Sequence, residues 1–168
     1  QTSHVLIQAV VRNTLNGENA ATAWNVTGAN SGTLTGASST FTFTNFANLV
    51  GGTNADSFTL NGGTLTGSIN GNTGTDTLTG DNVVNAWTIT NDNAGTLTGL
   101  GTGFSNIENL IGGTNNDTFT FSDGKDIAGT VNGAAGGVNY LAFSAYTAAV
   151  NVALAISTAY VYAGVADV

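Results

Sequence analysis

The 168-residue sequence contains no cysteine, no proline and no methionine, and only 7% of its residues are charged. The absence of cysteine excludes disulfides and thiolate metal sites. So few charges are atypical both of a soluble enzyme surface and of a highly charged disordered tail. No apolar run approaches the roughly 18 residues of a membrane-spanning helix, so we expect no such helix.

The chain is also poor in positive charge. Its only strong bases are Arg12 and Lys125, and its net charge at pH 7 is −8. Without a basic patch that could neutralise phosphates, the sequence argues against nucleic-acid binding. The same lack argues against electrostatic attachment to anionic lipids. An acidic surface of this kind suits cations instead.

What the sequence does contain is an internal repeat, written in the Thr, Asn, Gly and Ala typical of tightly turned strands. The segment 43–60 recurs as 104–121, each time as a strand, a Gly-Gly turn, an acidic loop and a strand. Around these segments, Leu15 and Trp24 recur at nearly the same offset as Leu78 and Trp87. A period of about 62 residues indicates stacked units that cannot bury their apolar faces alone.

The long repeat divides into a shorter period of about 21 residues. The centres of strand-like runs form two interleaved series of apolar residues. The first series is Leu15, Leu34, Phe58, Leu78, Leu97, Phe119 and Leu141. The second series is Ile7, Val26, Leu49, Ile69, Ile89, Leu110, Val131 and Val152. These spacings predict an all-β, right-handed parallel β-solenoid with about 21 residues per coil. Three coils form each long repeat and eight form the chain, so Ile69, Ile89, Leu110 and Val131 would lie directly over one another.

We expect residues 1–168 to form a single solenoid segment. Its repeats span 15–77 and 78–140, with partial repeats at 1–14 and 141–168. Because the sequence starts and stops inside the repeat, we expect it to be a piece of a longer chain. Bare sheet edges at the ends would favour end-to-end stacking.

Two stretches carry a family resemblance. Residues 104–119 and 141–155 resemble the degenerate segments that accompany hemolysin-type (RTX) calcium-binding repeats in very large secreted and surface bacterial proteins. They are also similar to repeats of filamentous-haemagglutinin-like adhesins. The resemblance implies an extracellular or cell-surface β-solenoid that acts as a stalk, a filament or an adhesin segment. Its partners would be neighbouring copies or flanking coils, through end-coil edges, and host or surface glycans.

A calcium-binding module is the alternative function. The RTX nonapeptide holds Ca²⁺ with loop carboxylates and carbonyls. The loops that contain Asp56, Asp76 and Asp117 approach that pattern, so these aspartates are the candidate metal ligands. The competing interpretation is that each aspartate caps its own turn through backbone N–H groups. Under that interpretation the protein has no cofactor.

A further alternative is an ice-binding face of Thr-x-Thr motifs. The motif occurs at 33/35, 42/44, 64/66, 77/79, 88/90, 96/98 and 118/120. The competing interpretation is that Thr is a favoured solvent-facing strand residue.

The inventory for catalysis is poor, and we predict that the protein is not an enzyme. His4 is the only histidine, and no base accompanies the serines within the repeat, so a nucleophilic triad is not supported. Asp123 and Asp126 flank Lys125 in a loop that breaks the repeat, and a β-solenoid polysaccharide lyase or hydrolase could use such a cluster. A solvated turn explains it equally.

Overall fold

The computed structural model describes residues 13–150 and the backbone of 160–162. The predictions at His4, Ile7 and Val152 lie outside these residues. Within them the fold is all-β and contains no helix, which confirms the predicted class. The strands in chain order are β1 (Thr14–Asn16), β2 (Ala23–Gly28), β3 (Ser31–Thr35), β4 (Thr40–Thr44), β5 (Asn48–Val50), β6 (Ser57–Leu60), β7 (Ser68–Asn70), β8 (Thr77–Thr79), β9 (Asn85–Asn91), β10 (Ala94–Leu97), β11 (Gly103–Ser105), β12 (Asn109–Ile111), β13 (Asp117–Phe121), β14 (Val131–Asn132), β15 (Tyr140–Ala142) and β16 (Tyr160–Tyr162).

The strands form two mixed sheets. Sheet A has nine strands in the order β1-β5-β7-β11-β10-β9-β13-β15-β16, and sheet B has seven in the order β14-β12-β8-β6-β2-β3-β4. Parallel partners are separated in sequence by one short period where the chain passes directly between the sheets, as from Leu49 to Ile69. The separation is about half as long again where a meander intervenes, as from Trp24 to Phe58.

Two antiparallel meanders interrupt the parallel pairing. Strands β2, β3 and β4 form the first and β9, β10 and β11 form the second. Each begins with a tight turn at an asparagine in the left-handed region, Asn30 (φ 53°) and Asn93 (φ 54°), which asparagine tolerates better than most residues. A uniform short coil is therefore wrong for these segments.

The meanders also overturn the predicted single column of side chains. Ile69 and Ile89 both lie in sheet A, but β11 and β10 separate their strands. Leu110 lies in sheet B, where it pairs with Leu78 and Val131. The prediction was wrong because the alternation of apolar and polar residues is the same in a hairpin and in a parallel coil.

Equivalent strands of the two long repeats lie in opposite sheets. Strands β1 to β7 recur in the same order as β8 to β14, and each repeat passes between the sheets an odd number of times. Trp24 accordingly lies in sheet B, stacked on Phe58 at 5.6 Å, whereas Trp87 lies in sheet A, stacked on Phe119 at 5.3 Å. Each repeat makes five passes rather than the six that three coils require.

The core lies between the two sheets. Strand residues alternate between this interior and solvent, as in the burial of Leu78 between the more exposed Thr77 and Thr79. Among the described residues, no helix is present that could cross a membrane. The fully buried larger side chains are Trp24, Trp87, Phe58, Phe119, Leu49, Leu60, Leu65, Ile69, Leu78, Ile89, Ile107 and Leu110.

Candidate functional site

A stack of polar side chains lies where the chain enters sheet B. We call it the sheet B ladder, and its members each immediately precede a strand, namely β2, β6, β8 and β12. The members are Thr22, Asp56, Asp76 and Glu108. Because these strands pair in parallel register, the equivalent positions lie about one strand spacing, roughly 4.8 Å, apart. Each side chain can therefore reach the backbone of the neighbouring level.

Backbone N–H groups connect the levels of the sheet B ladder. The N–H of Thr22 donates to Asp56 Oδ1 at 2.7 Å, and the N–H of Asp56 donates to Asp76 Oδ1 at 2.7 Å. The N–H of Asp76 donates to Glu108 Oε2 at 2.8 Å. The carboxylates thus satisfy backbone donors that the strand ladder leaves free at the corner.

Asp56 uses both of its oxygens. Oδ1 also accepts the Thr22 hydroxyl at 2.5 Å, and Oδ2 accepts the Gly52 N–H at 2.7 Å. The Thr22 hydroxyl in turn accepts the indole N–H of Trp24 at 2.8 Å. A buried relay therefore runs from the tryptophan to the carboxylate, and it satisfies every polar atom along it.

Asp76 is less well satisfied. It is fully buried, and its Oδ2 has no hydrogen-bond partner among the described residues. Desolvation, opposed by the Asp56 N–H and reinforced by the Asp56 and Glu108 carboxylates, raises the pKa of Asp76 from 3.8 to about 6. This carboxyl therefore gains a proton in mildly acidic solution.

A second stack, the sheet A ladder, lies at the opposite sheet and consists of Asn85, Asp117 and Asn139. Asp117 Oδ1 accepts both the backbone N–H of Asn85 at 3.0 Å and its side-chain amide at 2.9 Å. The N–H of Asp117 donates to Asn139 Oδ1 at 2.8 Å. Burial raises the pKa of Asp117, and the two Asn85 hydrogen bonds oppose the increase.

The two ladders differ beside their tryptophans. Asn85 stands two residues before Trp87, where Thr22 stands before Trp24. The Asn85 amide donates to the Asp81 carbonyl at 2.8 Å instead of accepting from the indole. Among the described residues, the Trp87 indole N–H and Asn85 Oδ1 consequently have no partner.

The structure brings together only two of the three predicted metal ligands. Asp56 and Asp76 are neighbours in the sheet B ladder, whereas Asp117 belongs to the sheet A ladder. Sequence reasoning missed Glu108 and Asn85. Their shared signal is a position at the start of a parallel strand, which becomes visible only when the strand pairing is known.

The ladder oxygens are mostly engaged by hydrogen bonds. Ca²⁺ takes six to eight oxygen ligands in proteins. In residues 13–150, no group of three or more His, Cys, Asp or Glu side chains is arranged to hold a metal ion. The capping interpretation accounts for Asp56, which accepts the N–H of Gly52 in its own turn, and the ladder adds bonds to the neighbouring level.

The loop considered for catalysis is engaged in structural contacts. Asp123 accepts the backbone N–H of Thr147 at 3.1 Å and its hydroxyl at 3.0 Å. Lys125 forms an exposed ion pair with Asp92 at 3.7 Å. A cavity of about 280 Å³ lies elsewhere, near Glu18, and none of the three predicted metal ligands lines it.

The Thr-x-Thr motifs are divided between two surfaces. The pairs 33/35, 42/44 and 77/79 lie in sheet B, and 88/90 lies in sheet A together with 118/120. On sheet B the register aligns Thr42 with Thr33, and Thr59 with Thr79. Asn25 separates these two pairs, so the row of hydroxyls is not continuous.

No family model, no curated protein and no solved structure matches this chain.

Proposed function

We propose that this chain is a structural segment of an extracellular bacterial surface protein, a β-solenoid that acts as a stalk or filament. The observation that carries the proposal is the parallel, in-register pairing of successive levels in both sheets around one core. Such an arrangement makes length proportional to the number of repeats, and each level stabilises mainly its neighbours. Its function is mechanical: reach, display or adhesion.

The proposed solenoid is right-handed and makes two and a half circuits per long repeat. The odd number of passes places the meander of one repeat in sheet B and that of the next in sheet A. Strands β1 to β14 therefore contribute seven strands to each sheet. Equal growth of both sheets favours a straight rod, and seven strand spacings correspond to about 34 Å per two repeats.

The chemistry of the surface fits an extracellular location. A chain with net charge −8 and two strong bases is unsuited to nucleic acids and anionic lipids. The resemblance to RTX-associated and haemagglutinin-like repeats supports a secreted or surface-attached parent chain. The proposed partners are neighbouring copies or flanking coils at the sheet ends, and host or surface glycans. We propose no catalytic activity and no obligatory cofactor.

Insertion of two further repeats tests the rod. A second copy of residues 14–139 is placed between Asn139 and Tyr140 of the full chain, where Thr14 is the counterpart of Tyr140. Small-angle X-ray scattering is expected to show a maximum dimension about 34 Å longer, with the same circular dichroism per residue. An increase well below this value, or a second melting transition, would contradict a continuous solenoid.

Calcium binding is the second candidate function, supported by the consecutive placement of Asp56, Asp76 and Glu108 in one ladder. An ion held by the folded state would raise the melting temperature by mass action. Calorimetry in EDTA and then in millimolar Ca²⁺ distinguishes the two functions. An unchanged melting temperature rules out the calcium module, whereas an increase abolished by Glu108→Gln supports it.

A further inference from the structure

The outer edge of β4 is an open sheet edge within the described residues. Strand β4 is the terminal strand of sheet B and pairs only with β3 there. Its counterpart in the second repeat, β11, pairs with β10 on one side and with β7 on the other. The same strand position thus accepts a neighbour on both edges where one is present.

The backbone of β4 presents three donor and acceptor pairs to this edge. Gly36 donates its N–H to the Ser39 carbonyl at 2.9 Å, which closes the β3–β4 turn with a hydrogen-bonded pair. Hydrogen-bonded and non-hydrogen-bonded pairs alternate along an antiparallel ladder. The N–H and C=O groups of Phe41 and Phe43 therefore point to β3, and those of Thr40, Thr42 and Thr44 point to the open edge.

The side chains of β4 leave apolar surface at the same edge. Phe41 pairs with the buried Leu34 and lies on the interior face of sheet B, yet 47% of it is exposed. Phe43, two residues later, is buried. Residues 40–44 carry no charge in a chain of net charge −8, and they include neither the lysine nor the proline that commonly protects an edge strand.

The sequence of β4 reads identically in both directions, Thr-Phe-Thr-Phe-Thr. We propose that two copies of this chain pair through β4, antiparallel, about a two-fold axis at Thr42. Thr42 then faces Thr42 of the partner subunit, and Thr40 faces Thr44 of the partner subunit. All three are hydrogen-bonded pairs, so the six outward N–H and C=O pairs of the two strands are satisfied.

The same register brings the aromatic residues together. Phe41 faces Phe43 of the partner subunit in a non-hydrogen-bonded pair, where cross-strand side chains approach most closely. An isologous interface of this kind closes as a dimer and does not propagate. The two copies share one continuous sheet B. The proposal specifies the end-edge partner in the proposed function, but it does not depend on the rod.

Single cysteines test the register, because the chain has no cysteine of its own. Thr42→Cys places two sulfurs across the axis with Cα atoms about 5.5 Å apart, within the usual disulfide range. Thr40→Cys is the matched control on the same face of the same strand, since its own counterpart lies about 13 Å away. Under mild oxidation we expect Thr42→Cys to form covalent dimer at least tenfold faster than Thr40→Cys. Equal rates would overturn the proposal.

Sedimentation equilibrium of the unmodified protein gives an independent measurement. We expect a concentration-dependent dimer that Thr42→Lys converts to monomer, with Thr59→Lys on the outer face of β6 as the charge control. Circular dichroism checks that both variants are folded. A monomer at all concentrations would overturn the proposal and leave the growth in length on repeat insertion unaffected. If Thr42→Lys does not fold, the cysteine rates still decide the question.

Discussion

Replacing Asp76 with asparagine is expected to stabilise the protein at neutral pH and to leave it nearly unchanged in acid. The pKa of Asp76 is raised from 3.8 to about 6, mainly by burial. The folded protein therefore binds this proton more tightly than the unfolded chain does. The associated stability is complete below about pH 3.8 and is lost as the pH rises through about 6.

The magnitude follows from the displacement of the pKa. Each pH unit corresponds to about 1.4 kcal/mol, so the ionised carboxyl costs up to about 3 kcal/mol of folding free energy. Because the ladder lies at a turn close to solvent, screening reduces this, and we expect about 2 kcal/mol. Asn139, the counterpart of Asp76, shows how an amide fits: its Oδ1 accepts the Asp117 N–H, and its Nδ2 donates to the Gly133 carbonyl at 2.8 Å.

Urea unfolding followed by tryptophan fluorescence measures the effect between pH 4 and pH 8. The difference between Asp76→Asn and the unmodified protein should grow from near zero at pH 4 to about 2 kcal/mol at pH 8. Asp56→Asn is the matched control in the same ladder. Both oxygens of Asp56 accept N–H groups, so an amide there loses an acceptor and should destabilise the protein by about 1–3 kcal/mol. A pH-independent difference for Asp76→Asn would refute the assignment of a strained, buried carboxyl.

The remaining predictions concern the core and one corner. Trp24→Phe should destabilise the protein by about 1 kcal/mol more than Trp87→Phe in thermal unfolding, because only the Trp24 indole donates a hydrogen bond; equal losses would contradict this. Leu110→Ala should cost about 2–5 kcal/mol in urea unfolding, since Leu110 is fully buried between the sheets; a loss below about 1 kcal/mol would place it outside the core. Gly52→Ala should destabilise the protein measurably in the same assay, because a Cβ at Gly52 would clash with the Glu18 carbonyl oxygen, whereas Gly62→Ala would meet no atom within 4 Å and reports only the strain of its positive φ.

The inward residues were predictable from the sequence, but the pairing of their strands was not. Leu49, Leu78 and Leu110 were placed at strand centres from alternation alone, and all three are fully buried. Alternation fixes which face a side chain occupies and carries no information about the direction of the neighbouring strand. The meanders depend instead on local turn geometry, and the left-handed Asn30 and Asn93 were the available signal.

The ladders could be predicted only in part. The similarity of the loops singled out Asp56, Asp76 and Asp117 as a group, and the hemolysin-type resemblance favoured calcium as their role. Glu108 occupies the position of Ala47 in the preceding repeat, so no internal copy marked it. Its bond to Asp76 joins distant parts of the sequence and arises from the meander that lengthens this level. Contacts of that range become evident only with the strand order in hand.

The alternation of equivalent strands between sheets has an evolutionary consequence. Duplication of a single repeat preserves every pairing, because each new unit meets the same neighbours after a rotation of half a turn. The same duplication transfers all downstream loops to the other side of the molecule. A lineage can therefore lengthen the chain one unit at a time, but a ligand approaching from one side would meet a given loop only in every second unit.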